Sequence, residues 1–487
     1  PDWSAGDTSV PQQIVLPDVH SRNHTPTGKI GTARTALGAA VNTWQYAGQP
    51  FTYDGTNVRP FVNGDVVGGP TGNQSGGPEA DIANRSFNGG PYGAEVERSN
   101  FFAGYTFDAN EETRYFVNLL GGRTQSNDWD QRGIPHLASP WTTQIFVDNA
   151  YLPANVRQAM IAANVDSFVI EKQGQVLGQA GNWGDSEDRH NQFDSWTLQL
   201  GLDKDIGEKW QMQARIQRGS TDRLSQVFNE IRVDREMLAI DAVEVYSDRR
   251  DGNGDGIVDL IAEADRGTGS IICNVQRYNP TDAQLQAAVA DVRVPAAQGD
   301  ASLGNGDPTF PVPIPSPVGP DAISNCVPMN VFGQGNVSPD AAAYVVSEKS
   351  GVGAVTQEFA EVLFTGEIYE GYGPGPFSMA VGATYREQWF WQAGLPTDLM
   401  RYGPPRNAPN LGIRGIQGGF TTGSPNLHEF STVPTIEGGY DVWELFTEFN
   451  MPLWQSESSN QRPELDVAAR RSDYSTSGGI TSWKTGI

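Results

Sequence analysis

Apolar and polar residues alternate along this chain in paired segments joined by short polar turns. Ser99–Phe107 and Thr113–Ser126 flank 108–112, and Phe193–Asp203 and Lys209–Gly219 flank 204–208. Gln357–Tyr369 and Phe377–Phe390 flank 371–376, while Asp441–Leu453 and Pro463–Ser475 flank a polar turn starting at Trp454. A further segment begins near Ile480. In the second pair, Trp196, Leu198, Leu200 and Leu202 alternate with Thr197, Gln199, Gly201 and Asp203. On the return, Trp210, Met212, Ala214 and Ile216 alternate with Gln211, Gln213, Arg215 and Gln217. Side chains along a strand point to opposite faces in turn, so the pattern predicts antiparallel strands with one apolar and one polar face.

An apolar face needs either another sheet or lipid. A soluble sandwich turns it inward. These segments run about 9–14 residues, beyond the five or six typical of soluble sheets and near what a tilted membrane strand needs. Every second connection is short, whereas 127–192, 220–356 and 391–440 are long. Short turns at one end and long connections at the other are the habit of outer-membrane barrels. Trp210, Trp454, Tyr369 and Tyr372 lie beside short turns, and Trp196 and Trp389-Phe390-Trp391 lie toward the long connections. Two aromatic girdles would be placed this way; ordinary sheet packing is the plainer alternative. For Trp389 and Trp391 a third role is open, a platform on which a sugar or ring-bearing substrate stacks.

The long connections carry some structure of their own. Pro153–Ala163 has helical spacing with proline at its start, and Thr281–Val292 reads as a short helix with Thr281 as N-cap. The run 310–315 must be extended, because proline cannot continue a helix. The first 95 residues are turn-rich, and the Gly/Pro-rich 68–78 excludes a helix or strand interior.

Composition agrees with a barrel. The 487 residues include 56 Gly, 32 Pro and 12 Trp, with only 38% hydrophobic and 10% aromatic residues, and the mean hydropathy is -0.44. Such a chain has trouble filling several packed cores, yet is too aromatic for a disordered polymer. A net charge of -25 offers no basic surface for nucleic acid. No run of 18 apolar residues exists, which excludes helical spans and leaves barrels untouched. No signal peptide opens the chain, and Pro1 is not a natural start, so the expectation is a mature chain or part of a larger one.

Candidate chemistry is sparse. Asp251-Gly252-Asn253-Gly254-Asp255-Gly256-Ile257-Val258-Asp259 matches the first nine positions of a calcium loop. Side-chain oxygens of Asp251, Asn253, Asp255 and Asp259 fall at positions 1, 3, 5 and 9, and the carbonyl of Ile257 at 7. The twelfth position is Ala262, with Glu263 one place late. The alternatives are a structural Ca²⁺ site and an Asp/Gly turn without metal. Cys273 and Cys326 are the two cysteines; in an oxidising compartment they would close a loop of about 50 residues, worth roughly 4 kcal/mol. Two free thiols are the other reading. His20, His24, His136, His190 and His428 show no metal spacing, and no nucleophile elbow or phosphate loop occurs. Catalysis has no positive support, and no cofactor is required.

Several stretches form an ordered set of local signatures. One is Cys326-Val327-Pro328-Met329-Asn330-Val331-Phe332-Gly333 with Gly335, Ser338 and Tyr344; another is Asn149-Ala150-Tyr151-Leu152-Pro153 with Met160. A third is Glu444-Leu445-Phe446-Thr447-Glu448 with Pro452-Leu453, then Leu465–Arg470, Ser472–Ser475 and Trp483–Gly486. In this order they cover about residues 97–487 and together resemble TonB-dependent receptors of proteobacteria. The resemblance implies an all-β fold, an antiparallel transmembrane β-barrel of 22 strands with a plug in its lumen. It also implies residence in outer-membrane lipid, a nutrient substrate bound at external loops (siderophore, vitamin, oligosaccharide or peptide), and TonB as partner. Only eight or nine strands are legible here, with no plug and no TonB box. The expectation is therefore a partial chain, with 1–98 a loop-rich start and 99–487 barrel strands and loops. The rival reading is a secreted, calcium-stabilised β-sheet binding or adhesion protein; a secreted polysaccharide hydrolase ranks below it.

Overall fold

The computed structural model describes residues 19–21, 29–36, 40–41, 51–53, 57–62, 64–67, 73–77, 93–130, 143–171, 187–289, 320–333, 336–370, 375–395, 407–415, 436–455 and 462–487. Nine long strands dominate it. They are β1 (Glu95–Asn110), β2 (Thr113–Asp130), β3 (Glu187–Ile206), β4 (Trp210–Ile231), β5 (Val346–Tyr369), β6 (Phe377–Leu395), β7 (Ile436–Pro452), β8 (Glu464–Tyr474) and β9 (Gly478–Gly486). Each pairs antiparallel with its neighbour in sequence, giving one up-and-down sheet in chain order. The sheet is open, with β1 and β9 at its edges. This is the wall of a membrane-type β-barrel, in which the ladder satisfies the backbone where water is absent.

Register sorts the side chains. Leu202 pairs with Tyr115 and Ala214, Leu200 with Val117 and Ile216, and Leu198 with Leu119. Ala214 pairs with Val362, Val362 with Ala383, and Ala383 with Leu445. Partners across a ladder share a face, so these residues form one continuous apolar band. Leu200, Ile216 and Leu445 are exposed despite their size. No second sheet covers them among the described residues, and a band this extended on a soluble surface would be an aggregation site. Hydrocarbon is the medium that would cover it without a second sheet.

Aromatic rings fill the places where a strand carries glycine. A β-carbon on Gly201 would overlap Phe116, and one on Gly382 would overlap Phe446. On the apolar face, Phe101 lies across Gly121 and Trp210 across Gly366 in the same way. The bare backbone lets a ring lie flat on the neighbouring strand, and the ring replaces the packing that glycine lacks.

The strands run beyond the alternating segments at the long-connection end: β3 starts at Glu187 and β4 continues to Ile231. Outside lipid both faces are wet, so periodicity fades while the ladder continues. The turn region 68–78 also needs correction, because Asn73–Ser75 is a short strand paired with Val19–Ser21 and Asp65–Val67. Those three residues lack Gly and Pro, so the flanking turn signals do not prevent pairing. Residues 371–374 of the third short turn and the proline run 310–315 lie outside the described residues.

The long connections are not independent loops. Ile145, Val156, Met160 and Phe168 come from between β2 and β3; Leu238, Met329 and Tyr344 from between β4 and β5; Leu411 and Ile413 from between β6 and β7. They share one buried cluster with Ala33 and Phe51 from before β1. A small sheet runs Thr143–Phe146, Ser167–Glu171, Lys29–Arg34, Phe51–Tyr53, Val58–Pro60, joining the N-terminal residues to the first long connection. Helices Ala154–Ala162, Val233–Ile240, Asp282–Val289 and Pro339–Val345 add buried side chains to the same cluster. Both expected helices are present. Pro153 is the N-cap of the first and not its first helical residue. Thr281 Oγ1 accepts the Gln284 N–H at the start of the third, whose expected end, 290–292, lies outside the described residues. The chain thus builds a wall of long strands and, at one end of it, a cap with its own core.

Candidate functional site

The wall's second face is polar. Arg215 on β4 pairs with Glu361 on β5, Glu361 with Thr384 on β6, Thr384 with Glu444 on β7, and Glu444 with Ser472 on β8. Five strands therefore contribute one transverse polar row. Thr384 Oγ1 donates to Glu444 at 3.1 Å and Ser472 Oγ donates to its other oxygen at 2.7 Å. Asn118 Nδ2 donates to Gln199 Oε1 at 3.1 Å on the same face. Opposite a hydrocarbon-facing band, such a row requires water or protein on its own side. That makes it the lumenal side.

Guanidinium groups rest on aromatic rings along this side. Arg386 lies 5.9 Å from the Tyr440 ring, Arg470 5.0 Å from Phe446, and Arg223 5.9 Å from Phe193. Tyr440 also donates its hydroxyl to Gln388 Oε1 at 2.7 Å. Arg386 and Arg470 fall within the alternating segments, whereas Arg223 and Tyr440 lie in stretches read as long connections, and only register brings them onto one face.

At the outer end, the cap is fixed by polar bonds between connections. Arg414, between β6 and β7, places Nη2 2.7 Å from Asp148 and 2.9 Å from Asp241, with Nε 3.0 Å from the second Asp241 oxygen. Its guanidinium also lies 4.0 Å from the Phe146 ring. Burial opposes the charge on Arg414, but Asp241 and Asp148 outweigh it and push its pKa up. Burial raises the Asp241 carboxyl despite Arg414, and burial likewise raises Asp166 nearby. Arg157 donates to the carbonyls of Val147 and Leu152 and pairs with Glu263 at 3.2 Å. No sequence signal marked Arg414.

Cys273 and Cys326 are disulfide-bonded, their Cα atoms 6.2 Å apart. The bond ties the short strand Ser270–Cys273 to the segment ahead of Met329, whose N–H donates to Ala239 O at 2.8 Å.

Trp389 and Trp391 fall elsewhere. Both share the face of Met379, Val381, Ala383 and Tyr385, and Phe390 between them takes the lumenal face. Glu387 separates Tyr385 from Trp389 on the outward side, and the Trp389 ring covers Gly439. The two tryptophans are not brought together with the lumenal row.

The Asp-rich loop folds as a chain of side-chain-capped turns. Asp251 accepts the N–H groups of Gly254, Asp255 and Gly256, Asp255 that of Ile257, and Asp259 that of Gly252. Gly254 and Gly256 have φ of +74° and +84°, which L-residues adopt at a cost. Among the described residues, no group of three or more His, Cys, Asp or Glu side chains gathers on one point as a metal would require. The oxygen-rich donor set suits Ca²⁺, but its carboxylates are engaged with the loop's own amides.

No protein-family model matches the chain, and a search of curated proteins returns no match. Among solved structures, the ferric-catecholate import receptor Fiu of E. coli K12 in its closed form matches 96% of this chain and 46% of its own, at 9% identity and TM-score 0.29. The siderophore receptor PiuA of Acinetobacter baumannii matches the same shares at 12% identity and TM-score 0.26. The chain thus spans about half the length of these two receptors. Similarity at this level carries no weight on function.

Proposed function

We propose that this chain forms part of the barrel wall and external cap of an outer-membrane receptor that imports a scarce nutrient, energised through TonB. The observation that carries this reading is the division of one nine-stranded sheet into a hydrocarbon-facing band and a polar face, with the long connections assembled into a cap at one end. A solute would bind at the cap and outer wall and pass along the polar face. A plug and further strands would complete the lumen. Binding with transport uses the features present without requiring catalysis.

Fractionation and uptake test this reading. The full-length protein should partition with the outer membrane, require detergent for solubility, and migrate differently on gels before and after heating. A deletion strain should lose uptake of one nutrient, and so should a strain lacking TonB. A protein soluble without detergent would end the receptor reading.

A further inference from the structure

We propose that the outer half of the polar wall is a basic entrance that selects an anionic solute, one carrying carboxylate- or phosphate-type oxygens. This rests on the receptor reading and adds its substrate class.

Strand register separates the charges by face. Arg98 pairs with Thr124, Thr124 with Phe193, and Phe193 with Arg223, so Arg98 and Arg223 lie in one transverse row on the lumenal face. Three strand steps of about 4.8 Å put their backbones about 14 Å apart. Arg386 lies on the same face, one step outward from the row of Glu361 and Glu444. Beyond that row the lumenal face carries Arg189 beside its register partner Asp128. The opposite face over the same stretch carries Glu97, Asp194, Asp222, Glu387 and Asp441. The sheet thus divides a chain of net charge -25 into an acidic outward surface and a basic lumenal mouth.

Pairing separates the cations further. On the outward face Arg123 meets Asp194 at 2.6 Å and Arg218 meets Glu358 at 3.4 Å. At the short-turn end Arg114 meets Asp108 at 2.7 Å. Among the described residues, no carboxylate lies within ion-pair distance of Arg98, Arg223 or Arg386. Arg98 donates to Thr124 Oγ1 at 3.2 Å, Arg223 rests against Phe193, and Arg386 against Tyr440. Ring contact orients a guanidinium without neutralising it, leaving its donor fork for an anion. Gln388 and Gln217 add neutral amide donors on the same face. Glu444, one step inward, feels the charge of Arg386 without pairing with it. Cations that lack an ion-pair partner on a concave wall concentrate anions there and speed their capture.

The test uses the full-length protein in detergent, with tricarballylate as anionic probe and glucose as neutral probe, followed by titration calorimetry. Tricarballylate should bind, with affinity falling at least about tenfold between low and about 0.3 M salt, and glucose should give no heat. Arg223→Gln and Arg386→Gln should each weaken binding by about tenfold, Arg223→Lys by less, and Glu97→Gln on the other face should leave it unchanged. Equal titration of the two probes, or wild-type affinity in both glutamine variants, overturns the proposal. Heat-dependent gel mobility, read on the same samples, keeps the two readings apart. Its loss from the wild-type protein would sink the receptor reading, whereas its retention with unaltered anion affinity in the variants sinks only the basic entrance.

Discussion

Arg414 lies 2.9 Å from Asp241 across 173 residues of chain, and the same guanidinium reaches Asp148 at 2.7 Å. One side chain therefore joins three long connections. Replacing it strands two carboxylates of which Asp241 is buried, and an uncompensated buried charge costs about 3–5 kcal/mol. Arg414→Ala should unfold the cap at a markedly lower temperature, read by cysteine accessibility at Cys273 after mild reduction. Heat-dependent gel mobility of the wall should persist, because its ladder does not pass through Arg414.

The same cluster sets a pH dependence. Burial raises the pKa of Asp241, and burial raises that of Asp166 as well. A carboxyl with a folded pKa above its unfolded value binds more protons folded than unfolded, so stability falls as pH rises through that interval. The interval opens near the ordinary value of 3.8 and extends upward. The contribution of these two groups should therefore make the cap melt at a higher temperature at the acid end of that interval than at pH 7. Asp166→Asn should flatten part of that slope in a thermal scan across pH.

The sequence revealed the wall wherever strands cross hydrocarbon, since only there must alternate residues differ in polarity. Leu198, Leu200 and Leu202 are legible for that reason; Ser220 to Ile231, on the same ladder beyond the lipid, are not. The cap was legible only in fragments. Met329, Val331, Phe332 and Tyr344, which carried part of the family resemblance, turn out to be core residues of the cap, so that spacing records packing. The Arg414 cluster left no trace, because partners more than 170 residues apart have no periodicity. The lumenal charges were visible singly, but their segregation needs the register.

The disulfide should matter to the cap alone. Cys273 and Cys326 are 53 residues apart, and a loop of that size contributes about 4 kcal/mol in the chain-entropy account. A Cys273→Ser/Cys326→Ser variant should lower the melting temperature of the cap, and reductant should do the same to the wild-type protein. An unchanged cap transition would mean that the core at Met329 and Ala239 holds the segment without it.

The direction in which the apolar band faces can be read by charge insertion. Leu200 sits within the band and Gln217 on the opposite face. An arginine facing lipid near the bilayer middle costs about 2–4 kcal/mol, while one facing the lumen is nearly free. Leu200→Arg should reduce assembly into the outer membrane severalfold, and Gln217→Arg should assemble as well as wild type. If the two variants assembled equally, the band would not face lipid.

Calcium binding at the Asp-rich loop is expected to be weak, for a geometric reason. Gly254 and Gly256 already take the left-handed backbone such a loop requires, yet Asp251 and Asp255 spend their oxygens on amides of the same turn. Their carboxylates do not converge with Asp259 on one point. A metal would have to draw them together and compete with those bonds, placing the affinity in the range of extracellular modules, about 10⁻⁴ to 10⁻³ M. At about 10 mM Ca²⁺ such a site would stabilise the cap by roughly 1–3 kcal/mol, visible as an upward melting shift that a chelator reverses. Asp255→Ala should abolish the shift but not the fold, since Asp251 still caps Gly254 and Gly256. A wild-type cap that melts identically with calcium and with chelator would show that the loop is a hydrogen-bonded turn and nothing more.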